Sequence, residues 1–332
     1  MNQIQKETVI IILVWNDYKN TKATIDSVLK SEGVDYDILV VDNASTDGCI
    51  EKLRKDYGSY DNISFLMNKE NWGYAEGNNI ALRYCMKMNY EYFFILNNDV
   101  IFDSPSCIHD LWHTLKEDDK IGIIAPLIWN RMPDGSFKKG SLVANSGLYK
   151  LMMKLNGIEI GNYKEDLYST PTVSGSFFAI TRSCLNKVKG FEKNFFMYAE
   201  EDDLCIRTNL CGYRVIKLAK DYGIKHLGGV SNFIDAADWK RVIGFRNRMM
   251  LLRNFSFPQK FLYSSILFLQ GIKNTVRLLN KCSAKSAYVY FLSFFEGLND
   301  LMSFKRLSKT DQLFNRGRSI SQKRKLYGIT IK

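Results

Sequence analysis

The sequence predicts an α/β fold with a parallel sheet, followed by a basic helical extension. Short, fully apolar runs alternate with helix-patterned segments in the first hundred residues, which is typical of parallel strands covered by helices on both faces. Long amphipathic helices with a strong positive charge are expected in the last third. The chain has 332 residues, of which 46% are hydrophobic, so it is long enough to bury a large core.

Four apolar runs mark the first strands of this sheet. Each run is short, rich in β-branched and aromatic residues, and followed by turn-forming residues. The predicted strands are VIIILVW at 9–15, DILVVD at 37–42, ISFLM at 63–67 and YFFIL at 92–96. Helical patterns fill the gaps at 21–31, 47–57 and 75–89, so the predicted order is β-α-β-α-β-α-β.

Polar residues follow these strands at the edge where such sheets bind ligands. Asp42 closes the second strand, where a carboxylate could bind a base or ribose, although it could equally cap the next helix. The first β-α turn, WNDYKNTKAT, contains no glycine, which argues against a dinucleotide-binding dehydrogenase. Asp99 follows the fourth strand and could bind a cation that bridges two phosphates. Its neighbours Asn97 and Asn98 could add amides, although an Asx turn would also explain them.

The middle of the chain has a mixed pattern. IGIIAPLIW and SGSFFAITR are typical of strands, and EEDDLCIRTNLCGY is typical of a helix that ends at Gly212, before a strand that leads to His226. Four carboxylates occupy positions 200 to 203 in succession. Adjacent like charges are hard to desolvate, so such a run is either a solvated face or a site of proton chemistry.

The surplus of basic over acidic residues lies entirely in the last third of the chain. Residues 231–332 contain 19 Lys and Arg against 5 Asp and Glu, whereas residues 1–230 contain 27 against 30. A helix predicted over 261–281 places Gln270, Lys273, Asn274, Arg277 and Lys281 opposite Leu262, Ile266, Leu269, Val276 and Leu279. This amphipathic pattern favours an anionic membrane surface and not a nucleic acid as the partner, since no groove with aromatic stacking is indicated. A core-packed extension and a homodimer interface are alternatives.

The cysteines and the apolar segments of the sequence indicate in which cellular compartment the protein is expected. Seven scattered cysteines without a C-x-x-C pair indicate a reduced, cytoplasmic protein. The first apolar run has only seven residues and no cleavage site, so it predicts a buried strand and not a secretion signal. No segment reaches the roughly 18 apolar residues that a spanning helix needs. We therefore expect a protein that is peripheral on the inner face of the cell membrane.

Nine short motifs, in order, resemble family 2 glycosyltransferases of the rhamnosyltransferase-like branch. They are VIIILVWN, VVDNASTDG, NWGYAEGNN, ILNNDV, VSGSFFAITR, GFEKNFFMYAEEDDLCIR, GYRV, KHLGG and FRNRMMLLRN. The resemblance implies a GT-A fold, which is a Rossmann-like nucleotide-diphospho-sugar transferase fold, over residues 1–235. Its nucleotide-sugar-binding half would be 1–105 and its acceptor and catalytic half 106–235. Residues 236–332 would form the basic, membrane-associating helical region.

The resemblance assigns a nucleotide-sugar site to residues that follow the predicted strands. Asp42 would contact the base, and the loop with Asn71 and Gly73 would line the nucleotide. The full predicted set is Asn16, Asp42, Asn71, Gly73, Asn97 and Asn98.

A divalent cation, Mg2+ or Mn2+, is also implied. Asp99 matches the last acid of the D-x-D metal motif, whose first position is here Asn97. His226 matches a histidine that completes the metal or diphosphate site in several relatives, although a histidine after a strand is by itself more often structural. His109 and His113 have the spacing of a helical metal pair, but they have no third ligand nearby and no counterpart in the family.

The acidic run AEEDDL matches the family pattern E-E-x-D-L. Glu201 would be the general base for the acceptor hydroxyl, with Glu200 as the alternative. Neighbouring carboxylates and partial burial would raise the pKa of Glu201 toward neutrality. Asp203 would be the third acid of the pattern, paired with Arg207, and Asp202 would be solvated.

The acceptor side is implied less specifically. Ser174, Gly175 and Ser176 would form its wall and contact the diphosphate. Arg246 and Asn247 could hold an acceptor phosphate or sugar, or could make a helix salt bridge. The expected enzyme is an inverting glycosyltransferase that moves rhamnose or another hexose from a UDP- or dTDP-sugar to a hydroxyl of a lipid-linked or growing cell-surface saccharide.

Two other classes of protein fit this sequence less well. A sugar-phosphate nucleotidylyltransferase would need a glycine- and arginine-rich loop after the first strand, which WNDYKNTKAT lacks. A non-catalytic saccharide-binding protein on the same fold would not need Asp99, Glu201 and His226 to be intact.

Overall fold

Strands and helices alternate along most of the chain in the computed structural model, which describes residues 6–228 and 238–303. The strands are β1 (Thr8–Val14), β2 (Tyr36–Asp42), β3 (Ile63–Met67), β4 (Tyr92–Asn97), β5 (Val100–Ile101), β6 (Ile121–Ala125), β7 (Trp129–Arg131), β8 (Phe137–Lys139), β9 (Gly161–Lys164), β10 (Leu167–Ser169), β11 (Phe177–Thr181), β12 (Arg214–Leu218) and β13 (Lys225–His226). The helices are α1 (Tyr18–Val28), α2 (Cys49–Tyr57), α3 (Gly73–Cys85), α4 (Cys107–Glu117), α5 (Gly147–Leu155), α6 (Arg182–Val188), α7 (Glu200–Leu210), α8 (Asp238–Leu251), α9 (Phe257–Lys281) and α10 (Ala284–Ser303). The predicted β-α-β-α-β-α-β order of the first hundred residues is confirmed.

The main sheet has the strand order β3-β2-β1-β4-β11-β6-β12-β10-β9. Its first four strands are parallel, as predicted, but β11 runs antiparallel to both β4 and β6. The prediction of a parallel sheet therefore holds for the first four strands, and β6 and β12 also pair in parallel, but the sheet as a whole is mixed. Because of this reversal, Phe177 at the start of β11 pairs with Leu96 near the end of β4. Residues just before β11 thus lie beside residues just after β4.

A small second sheet, β5-β13-β7-β8, lies at the same end of the fold. In it His226 pairs with Val100 and Lys225 with Ile101. Pairing of β13 with β5 therefore places His226 next to the residue that follows Asp99, although 127 positions separate Asp99 from His226 in the sequence.

The C-terminal helices are part of the main core. Phe245 and Met249 of α8, Tyr263 of α9 and Phe294 of α10 belong to the same hydrophobic cluster as strand residues such as Phe93. These helices therefore share the core of the sheet, and the predicted domain boundary near residue 235 stays a prediction. No helix among the described residues is both long and apolar enough to cross a membrane.

Helix α9 packs against the core through a side that the prediction did not single out. Its buried residues are Tyr263, Leu267, Gly271 and Leu278. Most of the predicted apolar face is instead exposed, including Leu262, Leu269, Val276 and Leu279. Phe257 and Phe261 extend this exposed stripe toward the start of the helix, with 82% and 72% of their surface accessible. The helix is therefore apolar on two sides, and only one side is covered within the described residues. Residues 304–332, included in the predicted helical region, lie outside the described residues, as do 229–237.

A buried ion-pair network fixes α7 against the segment after α8. Asp203, with no exposed surface, accepts from Arg207 Nε at 2.8 Å and lies 3.1 Å from Arg253 Nη2. Arg253 also pairs with Glu192 at 2.8 Å, and Asn254 donates to Asp203 at 2.9 Å. The predicted Asp203–Arg207 pair is confirmed. Burial alone would raise the pKa of Asp203, but Arg207 and Arg253 outweigh it and lower the pKa below its ordinary value.

We predict that Asp203→Asn lowers the free energy of unfolding by about 3–5 kcal/mol, because it removes the charged carboxylate that Arg207 and Arg253 share in a buried network. Urea titration at pH 7 measures this. The lowered pKa means that the Asp203 contribution is complete above the unfolded pKa of about 3.9 and is lost as pH falls through the folded value. The difference between wild type and variant should therefore persist at pH 5 and shrink in stronger acid.

An exposed ion pair provides the control. Lys225 and Asp103 lie 2.8 Å apart with side chains 38% and 58% exposed, and Asp103→Asn should cost less than about 1 kcal/mol. Equal losses for the two variants would show that the buried network does not stabilise the fold as argued.

Candidate active site

Two residues in the left-handed region precede α7. Tyr198 has φ 70° and Ala199 has φ 67°, a conformation that costs free energy for residues with a Cβ. The turn makes Glu200 and Glu201 the first two residues of the helix.

Glu201 lies against the segment before β11. A Cβ built on Gly175 would stand 3.3 Å from Glu201 Cδ, so the absence of a side chain there lets the carboxylate approach. Burial, with a further contribution from the charge of Asp202, raises the pKa of Glu201 to about 8. Burial, with the charge of Glu201, raises the pKa of Glu200 well above its ordinary value. One oxygen of each carboxylate, Oε2, is buried without a hydrogen-bond partner, which disfavours the charged form. Glu201 retains more solvent access than Glu200, which is 5% exposed.

The prediction that Asp202 is solvated is wrong. Its side chain is half-buried, and Oδ2 accepts a hydrogen bond from the Tyr149 hydroxyl at 2.8 Å. Burial raises the pKa of Asp202, while Tyr149 and Arg248 act in the opposite direction. The sequence pattern did not indicate Tyr149, because α5 is separated from α7 by more than forty residues.

Asp99 and His226 lie together beyond the end of β4. His226 Nε2 lies 3.3 Å from Asp99 Oδ1, and both side chains are 18% exposed. Asp99 Oδ1 is buried without a hydrogen-bond partner. Gly228 leaves this carboxylate room, since a Cβ there would stand 2.2 Å from Asp99 Oδ2. An unpartnered carboxylate oxygen beside an imidazole nitrogen fits a divalent cation that takes its other ligands from phosphate and water.

The described residues supply no larger set of protein ligands. Over residues 6–228 and 238–303, no three His, Cys, Asp or Glu side chains are grouped so as to hold a metal. His109 Nδ1 lies 3.1 Å from Asp110, and Asp110 also pairs with Lys220. The helical spacing of His109 and His113 therefore does not produce a metal site in the part of the chain that the structure describes.

Asn16 and Asp42 organise the loop after β2. Asp42 is 2% exposed and accepts from the Ser45 amide at 3.0 Å. Asn16 has φ 51°. Its side-chain oxygen accepts a hydrogen bond from the Thr46 backbone amide at 2.7 Å, and its backbone amide donates to Ser45 Oγ at 3.0 Å. Asp42 thus makes a local turn and does not cap α2, whose N-cap is Gly48.

The loop with Asn71 and Gly73 contacts the segment that leads into α7. Asn71 Oδ1 accepts from the Gly73 amide at 2.9 Å and from Asn43 Nδ2 at 3.0 Å. Gly73 has φ 75°, and a Cβ there would stand 2.5 Å from the Phe196 carbonyl oxygen. The Tyr74 amide donates to the same carbonyl at 2.9 Å. Asn43, which follows Asp42 at the end of β2, thereby connects this loop to the strand end.

Asn97 and Ser176 connect the end of β4 to the segment before β11. The Asn97 amide donates to the Ser176 carbonyl at 2.8 Å, and Ser176 Oγ lies 2.8 Å from Ser174 Oγ. Asn98 has a supporting contact, since its Nδ2 donates to Thr21 of α1 at 3.0 Å. The predicted acceptor wall, 174–176, therefore joins the strand end before Asp99 to Glu201.

Arg246 is not placed as an acceptor-binding residue. It is 4% exposed, its Nε donates to Asp300 at 2.6 Å, and its Nη1 donates to Asn247 Oδ1 at 2.8 Å. The salt-bridge alternative is what the structure shows, because α10 supplies a carboxylate that sequence spacing could not indicate. Asn247 is fully buried, whereas Arg248 is exposed and lies beside Tyr149.

Comparison with known proteins identifies the family. The model of glycosyl transferase family 2 matches residues 9–189. The chain is 28% identical over 266 residues to the rhamnosyltransferase WbbL of Escherichia coli K12, covering 74% of this chain and 96% of WbbL. It is also 28% identical over 213 residues to the low-salt glycan biosynthesis hexosyltransferase Agl10 of Haloferax volcanii, covering 63% of this chain and 64% of Agl10. It is 26% identical over 195 residues to the N-acetylglucosaminyl-diphospho-decaprenol L-rhamnosyltransferase of Mycobacterium tuberculosis. This match covers 53% of this chain and 62% of the mycobacterial protein.

Solved structures show the same fold. Staphylococcus aureus TarS 1-349 with UDP-GlcNAc superposes with a TM-score of 0.59 at 14% identity, covering 89% of this chain and 83% of TarS. A Pyrobaculum calidifontis mannosyltransferase with GDP-Man and Mn2+ superposes with a TM-score of 0.54 at 14% identity, covering 98% of this chain and 81% of the mannosyltransferase. The predicted GT-A fold is thereby confirmed. The chain belongs to glycosyltransferase family 2 and is a glycosyltransferase.

Proposed function

We propose that this glycosyltransferase inverts the sugar carbon as it moves rhamnose or another hexose from a UDP- or dTDP-sugar to a hydroxyl of a lipid-linked or growing saccharide. The observation that carries the proposal is the position of Glu201. It is a carboxylate with a raised pKa, in contact with Gly175, and the neighbouring Ser176 bonds the strand end that precedes Asp99. The proposed proton acceptor and the proposed cation site are thus connected through residues 174–176.

The reaction would be a single displacement. The acceptor hydroxyl gives its proton to the Glu201 carboxylate while its oxygen bonds to the sugar carbon. The bond from that carbon to the diphosphate oxygen breaks, and the nucleoside diphosphate leaves with the electron pair. Attack from the face opposite the leaving group inverts the carbon. Glu200, with its own raised pKa, would remain protonated and leave the negative charge to Glu201.

The donor would lie on the strand ends. Asp42 and Asn16 would shape the loop that receives the base, and Asn71 and Gly73 would line the nucleotide. Asp99 and His226 would hold Mg2+ or Mn2+, and such a cation neutralises charge on the departing diphosphate when bound. Support comes from the Mn2+ in the mannosyltransferase complex and the nucleotide sugar in TarS, both on this fold.

The acceptor would enter from the side of α7 and α8. Ser174, Gly175 and Ser176 form a wall there, and Arg248 is an exposed cation on α8 beside Asp202. A lipid-linked acceptor is supported by the name of the mycobacterial relative, which is a transferase to a diphospho-decaprenol sugar.

An anionic membrane surface would hold the protein on the inner face of the cell membrane. The exposed apolar stripe of α9 is flanked by exposed Lys273, Arg277 and Lys281. Apolar side chains with adjacent cations match the chemistry of an anionic lipid surface. Residues 236–332 would thus act as the membrane-associating region, and a homodimer through the same stripe is the competing outcome.

We predict that Glu201→Gln lowers transfer by about 10²- to 10⁴-fold, because the amide cannot accept the proton, while nucleotide binding is retained. A panel of UDP-, dTDP- and GDP-sugars, assayed for transfer or hydrolysis, supplies the substrate. Wild-type kcat/KM should rise with pH up to about pH 8, since the base must be deprotonated. Normal turnover by Glu201→Gln together with inactivity of Glu200→Gln would assign the base to Glu200 and reject our assignment.

We predict that chelation with EDTA suppresses transfer and that added Mn2+ or Mg2+ restores it. Asp99→Asn should weaken Mn2+ binding in the presence of UDP at least tenfold, measured by electron paramagnetic resonance, because it removes the carboxylate ligand. Asp103→Asn, at an exposed acid four residues away, is the matched control. Full activity in EDTA, or unchanged Mn2+ binding by Asp99→Asn, would contradict this role.

We predict that replacing Lys273, Arg277 and Lys281 with glutamine weakens binding to phosphatidylglycerol vesicles by about two orders of magnitude. Each basic residue contributes about 1 kcal/mol near an anionic surface, and vesicle sedimentation measures the change. The control removes three exposed charges from α2, at Lys52, Arg54 and Lys55, and should leave binding unchanged. Unchanged binding by the α9 variant, or a shift only in oligomeric state, would favour the homodimer.

A further inference from the structure

Three successive carbonyls before α7 are each bonded by a group from another element. The Phe196 carbonyl accepts from the Tyr74 amide at 2.9 Å, at the start of α3. The next two carbonyls, of Met197 and Tyr198, both accept from Asn247 Nδ2 of α8, at 3.0 and 2.7 Å. One buried amide therefore holds two consecutive peptide groups directly before the left-handed turn.

The orientation of this amide is fixed by its neighbour on α8. Arg246 Nη1 donates to Asn247 Oδ1 at 2.8 Å, so the NH2 group must face the two carbonyls. Arg246 is itself bound to Asp300 of α10. Asp300, Arg246 and Asn247 thus form a chain of polar contacts that runs from α10 to the turn.

The turn needs external support. Tyr198 and Ala199 both carry a Cβ, and two successive left-handed residues of this kind persist only where the surroundings over-determine them. Asn247 has no exposed surface and lies on a helix whose neighbours Phe245 and Met249 are packed in the core. The supporting group is consequently rigid, as accurate placement of a reactive side chain requires.

We propose that Asn247 is a positioning residue: by bonding the Met197 and Tyr198 carbonyls it holds the turn that keeps Glu201 against Gly175. The inference rests on the proposed role of Glu201 and extends it to a residue that contacts neither substrate. It also explains the motif FRN physically, since Phe245 packs, Arg246 orients the amide and Asn247 holds the turn. The Gly73 loop bonds the same segment from the donor side.

The pH dependence of stability provides a readout that needs no substrate. A carboxyl whose pKa is raised on folding binds more protons in the folded state, so it lowers stability as pH rises from its unfolded value, about 4.3, to its folded value. With the pKa of Glu201 at about 8, wild-type stability should decline between pH 5 and pH 8. The slope of the free energy of unfolding against pH is thus negative in this range. Glu201→Gln should remove much of this slope, so the variant should gain stability relative to wild type as pH rises.

Asn247→Ala should flatten the same slope, because release of the turn exposes Glu201 to water and returns its pKa toward the ordinary range. Asn254→Ala is the matched control. Asn254 is also an asparagine that bonds α7, but its partner is Asp203, whose pKa is lowered and lies outside this pH window. It should lower stability and keep the wild-type slope. Urea titrations at pH 5, 6, 7 and 8 supply the four slopes.

Turnover gives the second readout. Asn247→Ala should lower kcat at least tenfold with little change in the KM of the nucleotide sugar that wild type uses in the panel. Adding Ala199→Gly should recover part of the loss, because glycine adopts a φ near 67° without strain. This double variant also replaces the single one for both measurements if Asn247→Ala does not fold.

The outcomes separate the two proposals. If Glu201→Gln flattens the slope and stops turnover but Asn247→Ala does neither, the positioning role is rejected and the proposed function stands. If Asn254→Ala flattens the slope equally, the effect is general destabilisation and the positioning role is likewise rejected. If Glu201→Gln itself changes neither slope nor turnover, both proposals fail.

Discussion

The site depends on the burial of adjacent carboxylates at the start of one helix. Asp203 lies between Arg207 and Arg253, so its charge is compensated and its pKa is lowered. Glu200 and Glu201 lie one turn earlier without a cation at ion-pair distance within the described residues, and their pKa values are raised. One helix therefore holds a fixed charge, Asp203, and the proposed proton acceptor, Glu201, two positions apart. The pKa of Asp203 differs in direction from those of Glu200 and Glu201 because other elements supply different partners. The helix N-terminus cannot explain this difference, since α7 offers it to all three acids.

Reversal of one strand, β11, connects this helix to the strand ends of the parallel half of the sheet. In a purely parallel sheet, ligands lie beyond the carboxyl ends of the strands. Because β11 is antiparallel, its N-terminal approach, with Gly175 and Ser176, lies beside the end of β4. Glu201 contacts the first of these residues and Asn97 bonds the second. Pairing of β13 with β5 adds His226 at the same edge. Two antiparallel pairings thus complete a site that the parallel strands only begin.

Features encoded in local patterns could be predicted from the sequence, and those that depend on distant contacts could not. Apolar runs located the first four strands, and the ordered motifs located the family. By contrast, solvation of Asp202 was predicted wrongly because Tyr149 reaches it from another helix. The second apolar side of α9, which packs against the core, was not predicted. Periodicity shows that a helix has an apolar side, but where two sides are apolar it does not show which one packs against the core. Arg246 likewise gave no sign of its partner on α10.

The turn at 198 and 199 shows why the C-terminal helices belong to the catalytic fold and do not simply follow it. A left-handed turn of residues with side chains is less stable in isolation than the alternatives, so its geometry must be imposed. The Tyr74 amide from the donor half and Asn247 from α8 impose it together. Since α8 also packs with α9 and α10 in the main core, loss of those helices would remove the support of the turn as well as the exposed stripe. A truncation before α8 would therefore be expected to disturb Glu201 even in an assay without membranes. Point substitutions on the exposed face of α9 separate the two effects, because they leave the core side of the helix intact.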